Sequence, residues 1–254
     1  MSATPTIAGV MVHPASQQAN IDSALASRID AAVALLRRAV TDFGRVVYAS
    51  SLGAEAMVLT DLVCTQVPEI DIFSIDTGRL PEETLVLLER LERRYQRRLP
   101  VYYPEAQAIE RFVREHGVNG FYDSLGARLS CCQIRKLEPF KRAISGYRAW
   151  VTGVRHEQSD LRARAQPIDH DPQYGLEKIS PLLDWTDGDI WTYIRAQQLY
   201  YNPMHDRGYA SIGCAPCSRA TAPGEGQRAG RWWWEQSDSR ECGLHPRKRP
   251  AAVG

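Results

Sequence analysis

Arg45-Val46-Val47-Tyr48-Ala49-Ser50-Ser51-Leu52-Gly53-Ala54-Glu55 is the stretch that decides the fold. Residues 45–49 form a short apolar run without alternation, the pattern of a strand covered on both faces. The run ends in a small polar loop, Ser50 to Gly53, and a helix follows from Ala54 to Gln66, stopped by Pro68. Upstream, Leu25, Ile29, Val33, Leu36, Val40 and Phe43 recur every three or four residues, so 22–43 reads as an amphipathic helix. Downstream, Ile70 to Ile75 alternates like a strand and enters the loop Asp76-Thr77-Gly78-Arg79. Pro81 suits the first turn of the next helix, which carries Leu85, Leu88 and Leu91. Strand 99–103, helix 105–115, helix 134–144 and strand 149–153 continue the series.

Strands alternating with helices over short connections predict an α/β fold, a mainly parallel sheet covered on both faces. Ligands of such sheets sit at the carboxyl ends of the strands. Three glycine-bearing loops fall there: 50–53, 76–79 and 153–155. Past Asn202 the chain turns glycine-, proline- and arginine-rich and loses its periodicity. The expected organisation is a leader over 1–20, an α/β domain over 21–205, and a tail over 206–254. The first cysteine pair lies in the domain and the second in the tail.

The chain has 254 residues, 44% hydrophobic and 24% charged, ample for a sizeable core. A formal charge of +1 gives no global call for nucleic acid or an anionic membrane. No apolar run approaches the roughly 18 residues of a membrane span, and the N-terminus lacks the basic start of an export signal. A cytoplasmic location is expected. Arginine dominates the basic set, with lysine only at 136, 141, 178 and 248. Its planar fork matches phosphate and sulfate oxygens.

The first strand-end loop offers backbone N–H groups and a helix N-terminus to an anion. It matches neither common phosphate-loop pattern, and an ordinary tight turn reads the same. The cysteines are more specific. Adjacent Cys131-Cys132 and the C-x-x-C of Cys214 and Cys217 provide four thiolates, the number that suits a 4Fe-4S cluster or a tetrahedral zinc. Neighbouring cysteines direct their side chains apart, which fits one small ion awkwardly and a cubane better. A vicinal disulfide or buried structural thiols are the bland alternatives in a reducing compartment.

Cys242, in Arg240-Glu241-Cys242-Gly243-Leu244-His245, stands apart in a basic tail and is a candidate nucleophile. Cys64 sits among Leu59, Leu62 and Val63 as core. Arg135-Lys136, Arg155, Arg162, Arg228 and Arg231 fall beside strand ends or cysteines, where an anion would need them. Arg93, Arg94, Arg97 and Arg98 read as a solvated helix face. Trp232-Trp233-Trp234 pins the start of the tail by packing.

Taken together, these motifs resemble the assimilatory adenylyl-sulfate (APS) reductases, thioredoxin-dependent enzymes related to PAPS reductases. The matching pieces are S-L-G-A-E at 51–55, I-D-T-G-R-L at 75–80, C-C-Q-I-R-K-L-E-P at 131–139 and T-G-V-R-H-E-Q-S at 152–159. G-C-A-P-C at 213–217, G-R-W-W-W-E at 230–235 and E-C-G-L-H at 241–245 complete the set. The chain departs from the family at Ala56, often Asp there, and at His156, often basic. The resemblance implies a Rossmann-like, adenine nucleotide alpha-hydrolase-like fold that reduces adenosine 5′-phosphosulfate to sulfite and AMP. It also implies thioredoxin as partner and a homo-oligomer as the assembly.

Carried over residue by residue, Cys131, Cys132, Cys214 and Cys217 would hold one 4Fe-4S cluster per subunit, and Cys242 would be the nucleophile. Lys136, Arg162, Arg228 and Arg231 would contact the phosphosulfate. The loops bearing Ser51 and Gly53, Ile75, and Gly153 with Arg155 would hold the adenosine. Family members that use only the 3′-phosphorylated substrate generally lack the four cluster cysteines, so APS is favoured over PAPS or dual use. A tRNA-thiolating enzyme sharing the fold would show S-G-G-x-D-S in the first loop and a basic platform for RNA. An iron–sulfur sensor without catalysis would not need the E-C-G-L-H tail.

Overall fold

The computed structural model describes residues 19–158, 162–235 and 243–244. Apart from Ala19 and Asn20, the expected leader lies outside them, as does Cys242.

Helix α1, Ser23–Phe43, begins where the Asp22 side chain accepts from the Leu25 backbone N–H at 2.8 Å. It ends at Gly44, whose φ of +71° belongs to the left-handed region that glycine enters without cost. The deciding stretch forms strand β1, Val46–Ser50, and helix α2, Ala54–Gln66. Strand β2, Asp71–Ile75, helix α3, Glu82–Tyr95, strand β3, Val101–Tyr102, and helix α4, Ala106–His116, follow in the expected order. Two details differ. Leu85 faces outward because Thr84 takes the inner position, where its hydroxyl accepts from Asn202 at 2.9 Å. Strand β3 is shorter than 99–103 and starts after Pro100, which has no N–H to give a ladder.

The first cysteine pair lies in the last turn of helix α5, Leu125–Cys132. A π-turn, Gln133–Leu137, then leads into helix α6, Glu138–Ala143. Pro139 cannot donate to the Arg135 carbonyl, so the α ladder breaks there instead of running unbroken over 134–144. After strand β4, Ala149–Val151, the chain adds a hairpin of β5, Ile168–Asp171, and β6, Leu176–Ile179, and then helix α7, Asp187–Ala196.

Among the described residues the sheet has six strands in the order β3-β2-β1-β4-β6-β5, every pair parallel except β5 with β6. This is the expected α/β architecture. Alternate residues of β1 feed both faces: Val46 and Tyr48 pack with α1, α2, α3 and α7, and Val47 with α6, Cys217 and Trp232. The chain builds outward from β1 through β2 to β3, then returns to the other side of β1 with β4. The carboxyl ends of β1 and β4 therefore flank a topological switch point, where a crevice must open. Among the described residues after Met204 there are only short 3-10 turns, at His205–Arg207 and Ala215–Cys217, and an isolated bridge from Ser218 to Arg231. None of the described helices is long and apolar enough to cross a membrane.

Candidate active site

At the switch point lies a cavity of about 240 Å³. Ser51 and Gly53 border it from the loop after β1, Ile75 from the end of β2, and Gly153 from the loop after β4. Leu52, between the first two, is buried with a φ of +58°, a left-handed conformation rare for a branched side chain. The turn is thus held by its surroundings, with the N-terminus of α2 at its back. Gly153 makes a close approach: a Cβ there would meet the Glu55 Cβ at 3.1 Å, so the first turn of α2 would have to give by a few tenths of an ångström.

Glu55 sits in a polar network that closes one end of the cavity. Arg155 is fully buried and does not line the cavity. Its guanidinium reaches Glu55 and Glu157 at 3.0 Å each, Asp187 at 3.3 Å and the Trp185 carbonyl at 3.2 Å. The Gln158 amide donates to Glu55 at 2.8 Å and in turn accepts from Arg162, which borders the cavity. Of the sequence-derived binding residues, Arg155 is the one the structure directs away from the cavity and into its wall.

All four candidate ligand cysteines line the other end. Burial pushes the Cys217 thiol up to about 12, with Cys214 and Cys132 adding repulsion, Arg231 opposing and Cys131 adding to it. Burial also raises Cys131, Arg135 opposing and Cys214 adding. Such mutual influence brings the four sulfurs within electrostatic reach of one another, although they belong to segments more than eighty residues apart. Among the described residues no three His, Cys, Asp or Glu side chains close to the spacing of a single ion.

The loop after β2 organises this end. Thr77 Oγ1 lies 3.2 Å from Cys214 Sγ and accepts from the Arg79 N–H at 3.2 Å. Arg135 donates to the Thr77 carbonyl at 2.7 Å, and the Arg79 carbonyl accepts from the Ala215 N–H at 2.8 Å. A Cβ at Gly213 would collide with the Arg231 guanidinium, so any side chain there requires that guanidinium to move. Trp232 is buried, and its Nε1 donor has no acceptor among the described residues.

Between the two ends the lining is strongly cationic. Arg79, Arg128, Arg135, Lys136, Arg162, Arg228 and Arg231 contribute positive charge, against Glu55 as the one carboxylate among the described lining residues. A cleft of this sign with low-dielectric walls concentrates and orients a polyanion. Leu244 is also buried in the lining, packed with the cluster that contains Phe121, Phe140 and Trp232. Sequence reasoning does not single out Thr77, Arg128, His205 or Leu244, all of which border the cavity. The available signal is spacing: Arg128 stands one helical turn before Cys132, and Leu244 two residues after Cys242.

Comparison with known proteins agrees with this geometry. Residues 45–220 match the phosphoadenosine phosphosulfate reductase domain. Over 224 residues the chain is 51% identical to a protein of Allochromatium vinosum named adenosine 5′-phosphosulfate reductase, covering 88% of each chain. A protein of the same name from Burkholderia cepacia is 48% identical over 221 residues, 87% of this chain and 88% of the relative. The crystal structure of phosphoadenylyl-sulfate (PAPS) reductase from Candida auris, a phosphate complex, superposes with a TM-score of 0.64 at 25% identity. It covers 78% of this chain and 98% of that one. On sequence, fold and the placement of its motifs, the chain belongs to the phosphoadenosine phosphosulfate reductase family.

Proposed function

We propose that the chain reduces adenosine 5′-phosphosulfate to sulfite and AMP in the cytoplasm, with Cys242 as nucleophile and thioredoxin as reductant. The observation that carries this reading is the cavity itself, a nucleotide-type strand-end crevice whose cationic middle joins four cysteines to an anchored piece of the C-terminal segment.

The loops at Ser51 and Gly53, Ile75 and Gly153 receive the adenosine, and Lys136, Arg162, Arg228 and Arg231 the phosphosulfate. Arg155 acts from the wall, holding Glu55 and Gln158 in place. Leu244, two residues along the chain from Cys242, is itself seated in the lining. The Cys242 thiolate attacks the sulfuryl sulfur, the S–O bond breaks, and its electron pair leaves on the phosphate of AMP. Charge grows on that leaving oxygen, where preorganised cations are worth most. The product on the protein is an S-sulfocysteine. One thioredoxin thiolate then attacks the Cys242 sulfur, and sulfite departs with the S–S bonding pair. The second thioredoxin thiol resolves the mixed disulfide, returning Cys242 as a thiol and leaving thioredoxin oxidised.

Cys131, Cys132, Cys214 and Cys217 suit a 4Fe-4S cluster. Four thiols line the one cavity, the Thr77 hydroxyl lies beside Cys214, and Trp232 Nε1 is a buried donor with no acceptor among the described residues. When bound, the cluster would supply fixed charge and a cross-link between the two cysteine segments, while both electrons come from the thiols of the partner.

The test is a sulfite-release assay with thioredoxin, comparing APS with its 3′-phosphorylated form. Preferential turnover of APS is expected. Preference for the 3′-phosphorylated form would reassign the substrate, and turnover of neither would end the reading.

A further inference from the structure

Arg128 is almost completely buried, at 1% exposure, although it is a cation. Removing a guanidinium from water is costly unless partners replace the solvent. Three do so. Glu235 accepts a two-point fork, at 2.8 Å from Nε and 2.7 Å from the terminal nitrogen. The Trp232 ring lies with its centroid 4.9 Å from the guanidinium carbon. The third partner is Cys132, one helical turn further along α5 and also in hydrogen-bonding reach.

The arrangement has two consequences. The fork ties α5, whose last turn carries the first cysteine pair, to the segment that follows the second pair, at Glu235, 107 residues from Arg128. It also sets a permanent positive charge beside one sulfur of the four-cysteine wall. Four thiolates in a buried site repel one another, and their loss of solvent is offset by hydrogen-bond donors and by fixed positive charge nearby. Arg128 borders the same cavity as the other cations, but it is almost wholly buried and sets its charge beside Cys132 out of contact with water.

We propose that Arg128 is a positioning residue for the iron–sulfur group: its charge compensates Cys132 and retains the cluster, beyond its part in a structural ion pair with Glu235. The inference rests on the reading that the four cysteines hold such a cluster, and the experiment separates the two.

Full-length wild type and variants are purified without oxygen. Iron and sulfide per chain, the rate of iron loss to a ferrous chelator, and thermal unfolding by far-UV circular dichroism are then measured. The double variant Arg128→Met/Glu235→Met removes both charges at similar volume, so a purely structural pair is replaced by apolar contact. Unfolding close to that of wild type is expected, with iron lost at least about tenfold faster, the size of one lost charge-assisted contact. Iron loss at the wild-type rate would overturn the proposal.

Should the double variant fail to fold, Arg128→Gln and Arg128→Lys carry the test, because they differ chiefly in charge. The glutamine variant is expected to shed iron about tenfold faster than the lysine variant, and equal rates would overturn the proposal. Wild type purified without iron would instead sink the cluster reading on which the inference stands.

Discussion

The Arg155 guanidinium and the Glu55 carboxylate, a hundred residues apart in sequence, meet at 3.0 Å behind the cavity. Through this contact the loop after β4 is fastened to the first turn of α2, and the crevice at the switch point keeps its shape. Glu157 and Asp187 are each about half exposed, so water screens part of their attraction. Glu55 is the better shielded acid, at 19% side-chain exposure, and is the partner that matters most.

Arg155→Ala should therefore destabilise the fold by about 3 kcal/mol, the usual cost of leaving a buried charge without its partner. Urea unfolding of the variant measures it. Arg155→Lys should recover less than half of the loss, because a point charge cannot reach Glu55, Glu157, Asp187 and the Trp185 carbonyl together.

The first half of the fold follows from pattern because its strands are apolar and its helices long. The hairpin of β5 and β6 escapes such a reading: Ile168-Asp169-His170-Asp171 contains one apolar residue, and Leu176-Glu177-Lys178-Ile179 two. Their pairing is imposed by the sheet edge, not by local preference. Helix α5 escapes for another reason. It is eight residues long, with Gly126 near its start, too short to show a 3.6-residue period.

The candidate site divides similarly. Its cysteines and loop motifs stand out by residue type and spacing, and the cavity gathers Ser51, Gly53, Ile75, Gly153 and the four cysteines. What the sequence hides are contacts between remote segments, such as Thr77 with Cys214 or Arg128 with Glu235. Arginines that face the ligand and arginines that brace the wall also look alike in one dimension. Arg155 was expected with the former and is found with the latter.

Arg228→Ala should raise KM for APS on the order of 10- to 100-fold, the value of one or two charge-assisted hydrogen bonds to an anion. Its visible absorbance should match wild type, because the substitution leaves all four cysteines in place. Steady-state kinetics beside an absorbance spectrum makes the comparison.

Leu244→Ala should slow the first sulfur transfer. The residue is 8% exposed in an aromatic cluster, and truncation of such a side chain costs roughly 2–5 kcal/mol of local packing. Part of that loss should appear as at least a tenfold fall in the single-turnover rate of S-sulfocysteine formation. AMP affinity should stay within twofold, and Leu244→Met should restore most of the rate.

His205 supplies a pH signature. Burial lowers its pKa, while the Tyr209 carbonyl and the carboxylates of Glu55, Asp187 and Asp206 work the other way. The folded state thus binds its proton less readily than the unfolded chain, whose histidine titrates near about 6.5. The stability contributed is complete above that pH and is lost as pH falls through the lower, folded value. His205→Asn should flatten the acid limb of a stability profile taken between pH 5 and 7.

The central claim is that a thiol of the C-terminal segment takes the sulfuryl group from the nucleotide. Anaerobic protein is mixed with APS in the absence of any thiol reductant, quenched, digested and weighed by mass spectrometry. The account predicts one added SO3 unit on the peptide containing Cys242, removed as sulfite when reduced thioredoxin is supplied and absent from Cys242→Ser. An adduct on another cysteine, or AMP release with no adduct at all, would contradict it.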